Sequence, residues 1–321
     1  MVNAGLRLNA ALVEQAFEVI RPFLPPTRTV PTTRSGGRRL FLKLESDQPT
    51  GSFKVRGALS NLLRQPENKP GFVAASAGNH GLGVVWAAKQ SGRREPVTIF
   101  IPGSAPQAKV KKLRQFDVDL RIVGDTFDDA ERMAHEFERA TGARFIHAYD
   151  DPLTAAGQGT MAIEIVEAMR EAGPVGTLVL PVGGGGLISG NAAWFKERSP
   201  ATRIVAVQPD ASPALSESIR LGRALLEYPA GPTLADGLSG GIGRIVFGHR
   251  DLIDEVVNVP EDRIRAAIRG LHLEDQVRAE ASGAITVAAL DLETSRSWPE
   301  PIVCVITGSN IDDAVLAPLV A

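Results

Sequence analysis

The chain has 321 residues, 44% hydrophobic and 22% charged, with a net charge of −2, enough for two lobes with substantial cores and too balanced to point to a nucleic-acid partner or a charged membrane surface. No apolar run is long enough to span a bilayer, and the N-terminal segment MVNAGLRLNAALVEQAF lacks the continuous apolar core of a signal peptide. Cys304 is the single cysteine, so no intrachain disulfide forms, and the cytoplasm is the expected location.

In chain order, residues 41–44 (FLKL) read as a strand, 48–51 (QPTG) as a turn and 54–64 (KVRGALSNLLR) as a helix with Ser52 near its cap. Lys54 then lies in the first helical turn, where a cation opposes the helix dipole. That is a costly place for a solvated lysine and a useful one for an amine kept neutral or bound as an imine. Residues 72–75 read as a short apolar strand, after which Ser76, Ala77, Gly78, Asn79, His80 and Gly81 open a helix over 82–90. Ser76 can cap that helix, the N–H groups that follow can take a carboxylate, and Asn79 offers an amide to a phenolic or carbonyl oxygen. Ordinary cap and turn roles explain these residues equally well.

Strands over 97–101, 119–123 and 143–149 alternate with helices near 105–116 and 127–140, a βαβ pattern that predicts an open parallel sheet. The basic group Lys109, Lys111, Lys112 and Arg114 alternates with Val110 and Leu113 and reads as a solvated helix face. A second set runs from a helix near 153–171 through strands at 177–182, 203–207, 253–259 and 302–306. The fold class is therefore α/β, two open and mainly parallel sheets with a site between them. The Pro/Gly-rich residues 228–243 read as an active-site loop, Cys304 as a buried strand thiol, and the five histidines show no metal-ligand spacing.

Between the strand at 177–182 and a helix over 187–197 stand four consecutive glycines, Gly183, Gly184, Gly185 and Gly186. Residues without Cβ let the main chain approach an anion, and the helix start adds unpaired N–H donors and the positive dipole end. A flexible turn would need one glycine rather than four. A dinucleotide fingerprint G-x-G-x-x-G fails on spacing, because its last position falls on Ile188 or Ser189. A loosened match with Asp210 as acidic partner keeps nicotinamide binding as a weak rival.

Six motifs carry a resemblance: KLESDQPTGSFKVRGA (43–58), SAGNHG (76–81), PVGGGGLISG (181–190), TLADG (233–237), AEASGA (279–284) and TGSN (307–310). In this order and spacing the chain resembles the fold type II (tryptophan synthase β-like) pyridoxal 5′-phosphate enzymes, in the branch of threonine/serine dehydratases and serine racemase. The resemblance implies that Lys54 holds the cofactor as a Schiff base and later moves the Cα proton, that Phe53 lies against one ring face, and that Gly237 lies near the other. It further implies that Asn79 bonds the ring 3′-oxygen, that Gly183 to Gly186 and Leu187 wrap the phosphate, and that Thr307 contacts the pyridine nitrogen. Ser76, Ala77, Gly78, Asn79 and His80 would hold the substrate carboxylate, with Glu280 near the ring and substrate end. A hydroxyl at position 307 cannot keep the pyridine nitrogen protonated as a carboxylate would, which favours β-elimination over transamination.

Two departures sharpen the expectation. Ala77 stands where serine racemase carries a second catalytic serine, so the face opposite Lys54 lacks an acid and a dehydratase is favoured over a racemase. Gln208 and Ala214 stand where that racemase places carboxylates for a divalent ion, so no metal is expected there. The expected reaction is deamination of threonine to 2-oxobutanoate or serine to pyruvate. The alternatives are 3-phenylserine or 3-hydroxyaspartate as substrate, a β-replacement synthase of the same fold, or a nicotinamide-binding or non-catalytic module. By analogy residues 1–65 and 148–321 form a large lobe and 66–147 a small one, a homodimer is expected, and the chain ends too soon after its last strand for a fused isoleucine-sensing domain.

Overall fold

The computed structural model describes residues 6–32, 36–66 and 69–321. The first five residues of the N-terminal segment, and residues 67 and 68 near the expected start of the small lobe, lie outside that set. In chain order the elements are α1 (Ala10–Ile20), β1 (Thr29–Pro31), β2 (Leu40–Leu44), α2 (Lys54–Leu63), β3 (Phe72–Ala75), α3 (Asn79–Gln90), β4 (Val97–Ile101), α4 (Gln107–Leu113), β5 (Asp119–Ile122), α5 (Phe127–Thr141) and β6 (Arg144–Phe145). There follow α6 (Pro152–Ala168), β7 (Thr177–Pro181), α7 (Gly186–Arg198), β8 (Arg203–Pro209), α8 (Ala214–Leu221), α9 (Arg244–Gly248), β9 (Glu255–Val259), α10 (Glu261–Leu273), α11 (Ala281–Ala288), β10 (Ile302–Ile306) and α12 (Asp313–Val320).

Two sheets result, one in the order β1-β2-β10-β7-β8-β9 and one in the order β5-β4-β3-β6. Every pairing is parallel except β1 with β2. The central strands show why: TLVLP and IVCVI are buried at every position, as strands covered on both faces by helices must be. Leu178, Leu180, Val303 and Val305 pack toward α1, α6 and α7, while Val179, Ile302, Cys304 and Ile306 pack toward α10 and α11. The smaller sheet has its own core around Phe72, Ala74, Ile99 and Ile101. No helix among the described residues is long and apolar enough to cross a membrane.

One element differs from its sequence reading in a way that matters for the site. The strand expected over 143–149 stops at Phe145, because the backbone N–H groups of Tyr149 and Asp150 turn to donate to His147 Nδ1, at 3.2 and 3.0 Å, rather than to a neighbouring strand. Asp151 then caps α6 by accepting from the N–H groups of Leu153 and Thr154, with Pro152 in the first turn. The chain therefore leaves the four-stranded sheet and enters α6 through a tight turn at residues 147–151.

Candidate active site

Helix α2 begins at Lys54, as its apolar period requires, and Ser52 lies near the cap, one residue before it. The N-cap is Phe53, with no side-chain cap bond, and Ser52 bridges through its backbone to Gly308 while its hydroxyl is buried without a partner. Phe53 N–H donates to the carbonyl of Thr307 at 3.0 Å, which ties the start of α2 to the end of β10. The Lys54 amine lies 5.2 Å from the centre of the Phe53 ring and donates to the carbonyl of Ala148 at 3.1 Å. Burial lowers its pKa to about 8, with Glu280 acting in the opposite sense.

Tyr149, the residue after that carbonyl, packs directly on the glycine loop. A methyl group on Gly184 would sit 2.2 Å from Tyr149 Cγ, and Gly185 has φ +89° with its Cβ position 2.3 Å from Val246. Both are closed to any side chain, one by contact and the other by backbone conformation as well. The N–H groups of Gly183, Gly184, Gly185, Gly186 and Leu187 find no acceptor among the described residues, although Gly185 to Leu187 are buried. Such a row of unpaired buried donors at the start of α7 is costly unless an anion takes it. The donor set thus fits a phosphate, and the amine one peptide away fits an aldehyde on the same molecule. The residues present therefore accommodate pyridoxal phosphate.

The remaining expected residues converge on the same cleft. Gly237 lies in a helical turn over 236–238, with its carbonyl 2.7 Å from where a Gly183 Cβ would be, and Thr307 is buried at the end of β10 against Gly283 of α11. Asn79 opens α3 behind Gly78, so Ser76 is not the cap; its hydroxyl accepts from Gly78 N–H at 3.2 Å. The N–H groups of Ala77, Asn79 and His80 have no acceptor among the described residues, a second set of free donors. The His80 ring turns away, with Nε2 2.7 Å from the carbonyl of Ile146, and burial next to Lys54 pushes its pKa down to about 3. Position 80 can therefore offer only its backbone N–H to a carboxylate.

Asn79 and Glu280 are linked. The Asn79 amide nitrogen donates to both Glu280 oxygens, at 2.8 and 3.1 Å, and its oxygen accepts from Asn310 at 2.8 Å. Burial raises the Glu280 carboxyl to about 7, against the lowering effect of Asn79. Two exposed contacts tie α4 to segments of the other half of the chain, Lys109 to Asp236 at 3.0 Å and Lys112 to Asn310 at 3.2 Å, so part of the basic helix face is paired rather than solvated.

Sequence reasoning missed Ala148, Tyr149, Asp150 and Val246. Asp150 accepts from Ile245 N–H at 2.8 Å and pins α9 beside the glycine loop. The adjacent pair Asp150-Asp151 before Pro152, a helix-start signature, was the available signal. At the doubtful cation position, Gln208 is fully buried and its oxygen accepts from the N–H groups of Leu215 and Ser216, while its nitrogen donates to the carbonyl of Val182. Among the described residues no cluster of three or more His, Cys, Asp or Glu side chains could hold a metal.

Residues 20–308 match the family described as pyridoxal-phosphate dependent enzyme. The L-threonine ammonia-lyase of Geobacter sulfurreducens is 37% identical over 98% of this chain and 78% of its own. Maize serine racemase superposes with a TM-score of 0.89 at 30% identity, covering 98% and 97% of the two chains. The processed form of threonine deaminase isoform 2 from Solanum lycopersicum gives 0.86 at 30% identity, covering 97% and 88%. The chain belongs to the family of pyridoxal-phosphate-dependent enzymes.

Proposed function

We propose that this enzyme is a threonine/serine ammonia-lyase, a pyridoxal-phosphate lyase that eliminates the β-hydroxyl of a 3-hydroxy amino acid and releases a 2-oxo acid and ammonia. The observation that carries the reading is the peptide at residues 148–149, whose carbonyl takes the Lys54 amine while its tyrosine seats the glycine loop with its row of free N–H donors. When bound, pyridoxal phosphate supplies an electron sink conjugated with the substrate amine.

The chain's own groups do the rest. Lys54 would hold the cofactor through its amine and, when that amine is free, would accept the Cα proton; an amine with pKa near 8 has a substantial neutral fraction at physiological pH. Gly183 to Gly186 and Leu187 would hold the phosphate, Phe53 would cover one ring face and Gly237 would leave room at the other. Asn79, held by Glu280 and Asn310, would face the ring oxygen, and Thr307 would offer the ring nitrogen a neutral hydroxyl. The backbone N–H groups of Ala77, Asn79 and His80 grip the substrate carboxylate, with Ser76 and Gly78 shaping that turn.

The likeness to serine racemase supports a second reading, but Ala77 gives no proton to the face opposite Lys54, so elimination is favoured. Residues 66–147 form the small lobe and residues 1–65 and 148–321 the large one, the enzyme works as a homodimer, and it resides in the cytoplasm. Borohydride reduction of the protein with pyridoxal phosphate should mark Lys54 in peptide maps, and threonine should yield 2-oxobutanoate. A protein with no reducible link at Lys54, or one that turns over D-serine and L-serine into each other without forming keto acid, would sink the proposal.

A further inference from the structure

The two largest fully buried side chains are charged: Arg56 and Lys43 form a closed cluster with Glu45 and Glu164 beneath the first turn of α2. All five Arg56 N–H bonds are used. Nε and Nη2 donate to Glu45 at 2.7 and 2.8 Å, Nη1 and Nη2 donate to Glu164 at 2.7 Å each, and Nη1 also donates to the Thr160 hydroxyl at 3.2 Å. Lys43 donates to Glu164 at 2.7 Å and to the Thr27 carbonyl at 2.9 Å. Glu45 also accepts from the Thr27 hydroxyl at 2.6 Å and the Gln48 amide at 3.1 Å.

Two cations balance two anions, with all five Arg56 donors and two of the three Lys43 donors engaged. Burial disfavours ionised Glu45, yet Arg56, Lys43 and the Thr27 hydroxyl together hold the carboxyl well below the usual carboxylate range. Clusters of this kind are inefficient stabilisers, because well-packed apolar groups of similar volume often do as well. What a planar, bidentate guanidinium adds is direction. It joins α2 to the residue following β2 and to α6, two residues beyond Lys54.

On another side of α2, Gly83 of α3 lies so close that a methyl group there would come within 3.2 Å of the Lys54 carbonyl. The Lys54 backbone is thus held from two directions. We infer that Arg56 is a positioning residue for the Lys54 amine, its clamp on Glu45 and Glu164 fixing the point from which that amine reaches Ala148 and the cofactor. The inference rests on the role of Lys54 proposed above.

Two variants test it. Arg56→Lys keeps the charge and loses the fork, and the double variant Glu45→Leu/Arg56→Met removes one charge of each sign and leaves the Lys43–Glu164 pair. In cofactor-free protein mixed with pyridoxal phosphate, the rate of forming a borohydride-reducible link at Lys54, read by mass of the peptide, should fall about tenfold to a hundredfold. The kcat for threonine should fall by a similar factor while KM stays within about threefold. A folded double variant with wild-type link rate and kcat overturns the inference. If the double variant does not fold, Arg56→Lys decides alone by the same two readouts. Absence of the link in the unaltered protein would instead refute the function proposed for Lys54.

Discussion

Replacing Gly184 by alanine tests the glycine loop through a contact that can be removed independently. The added methyl would lie 2.2 Å from Tyr149 Cγ and 2.4 Å from both Cδ atoms, well inside van der Waals contact. The ring has little freedom to retreat, because it stands edge-on to His147 with centroids 4.6 Å apart and the Tyr149 backbone N–H donates to His147 Nδ1. Overpacking of this kind costs about 1–3 kcal/mol. If the loop yields rather than the ring, its five N–H groups lose their convergence, and affinity for pyridoxal phosphate drops roughly fivefold to 150-fold. The assay is equilibrium titration of cofactor-free protein, with thermal melting in parallel. Tyr149→Ala/Gly184→Ala should recover part of the loss, giving a coupling energy of about 1 kcal/mol or more between the two sites. Gly222→Ala, at φ +67° with no atom within 4 Å of the new methyl, should cost only about 1 kcal/mol of backbone strain and leave binding unchanged. Wild-type affinity in Gly184→Ala, or a double variant as weak as the two single losses added together, would refute the reasoning.

Glu280→Gln should change how stability depends on pH. The carboxyl is raised from 4.5 to about 7 in the folded protein, so the stability it contributes is fully present below its unfolded value and is lost as pH rises through 7. In cofactor-free protein the variant should match the parent at about pH 4.5 and exceed it by roughly 1–3 kcal/mol at about pH 8, the upper figure being the full shift and the lower one allowing for water in the cleft. Melting curves across that range check this, and a difference that does not grow with pH contradicts it. Asp151→Ala removes the cap of α6 and strands Arg144, which is buried and paired with Asp151 at 2.6 Å. The expected loss in urea titrations is about 4 kcal/mol, with Asp151→Asn less costly by about 1 kcal/mol because it keeps the cap; a loss below about 1 kcal/mol would show that the pair bears little load.

The central strands and the glycine run could be read directly because their signals are local. A parallel strand covered on both faces must be apolar throughout, and TLVLP and IVCVI are. Lys54 was legible because a lysine at a helix start runs against the dipole. Ser52 does lie near the start of α2, but the cap role open to Ser76 is not taken, because a hydroxyl near a helix start says nothing about which residue leaves helical geometry. Phe53 and Gly78 hold the N-cap positions. Residues 146–149 read as strand from their composition, and the turn made by His147 Nδ1 depends on a side chain folding back on its own backbone. Arg56 had no local signal at all. Glu164, its partner, is 108 residues away, and only the packing of α2 on α6 shows that the arginine is buried.

Residues 147–151 have a larger consequence than their length suggests. The turn leaves β6 of the smaller sheet and becomes the cap of α6, which packs under the larger one, so it is anchored to both. Arg144, from the smaller sheet, pairs with Asp151; Asp150 accepts from Ile245 beside the glycine loop; Ala148 takes the Lys54 amine; and Tyr149 seats Gly184. The distance between amine and loop is therefore set by a segment that contributes no reacting group of its own. The chain also crosses between the sheets through α2, so this turn is one of two connections, and it is the one that puts the acceptor of the amine and the seat of the loop on adjacent residues. Any change at the turn therefore bears on both contacts at once, a coupling that the motif residues alone would not create.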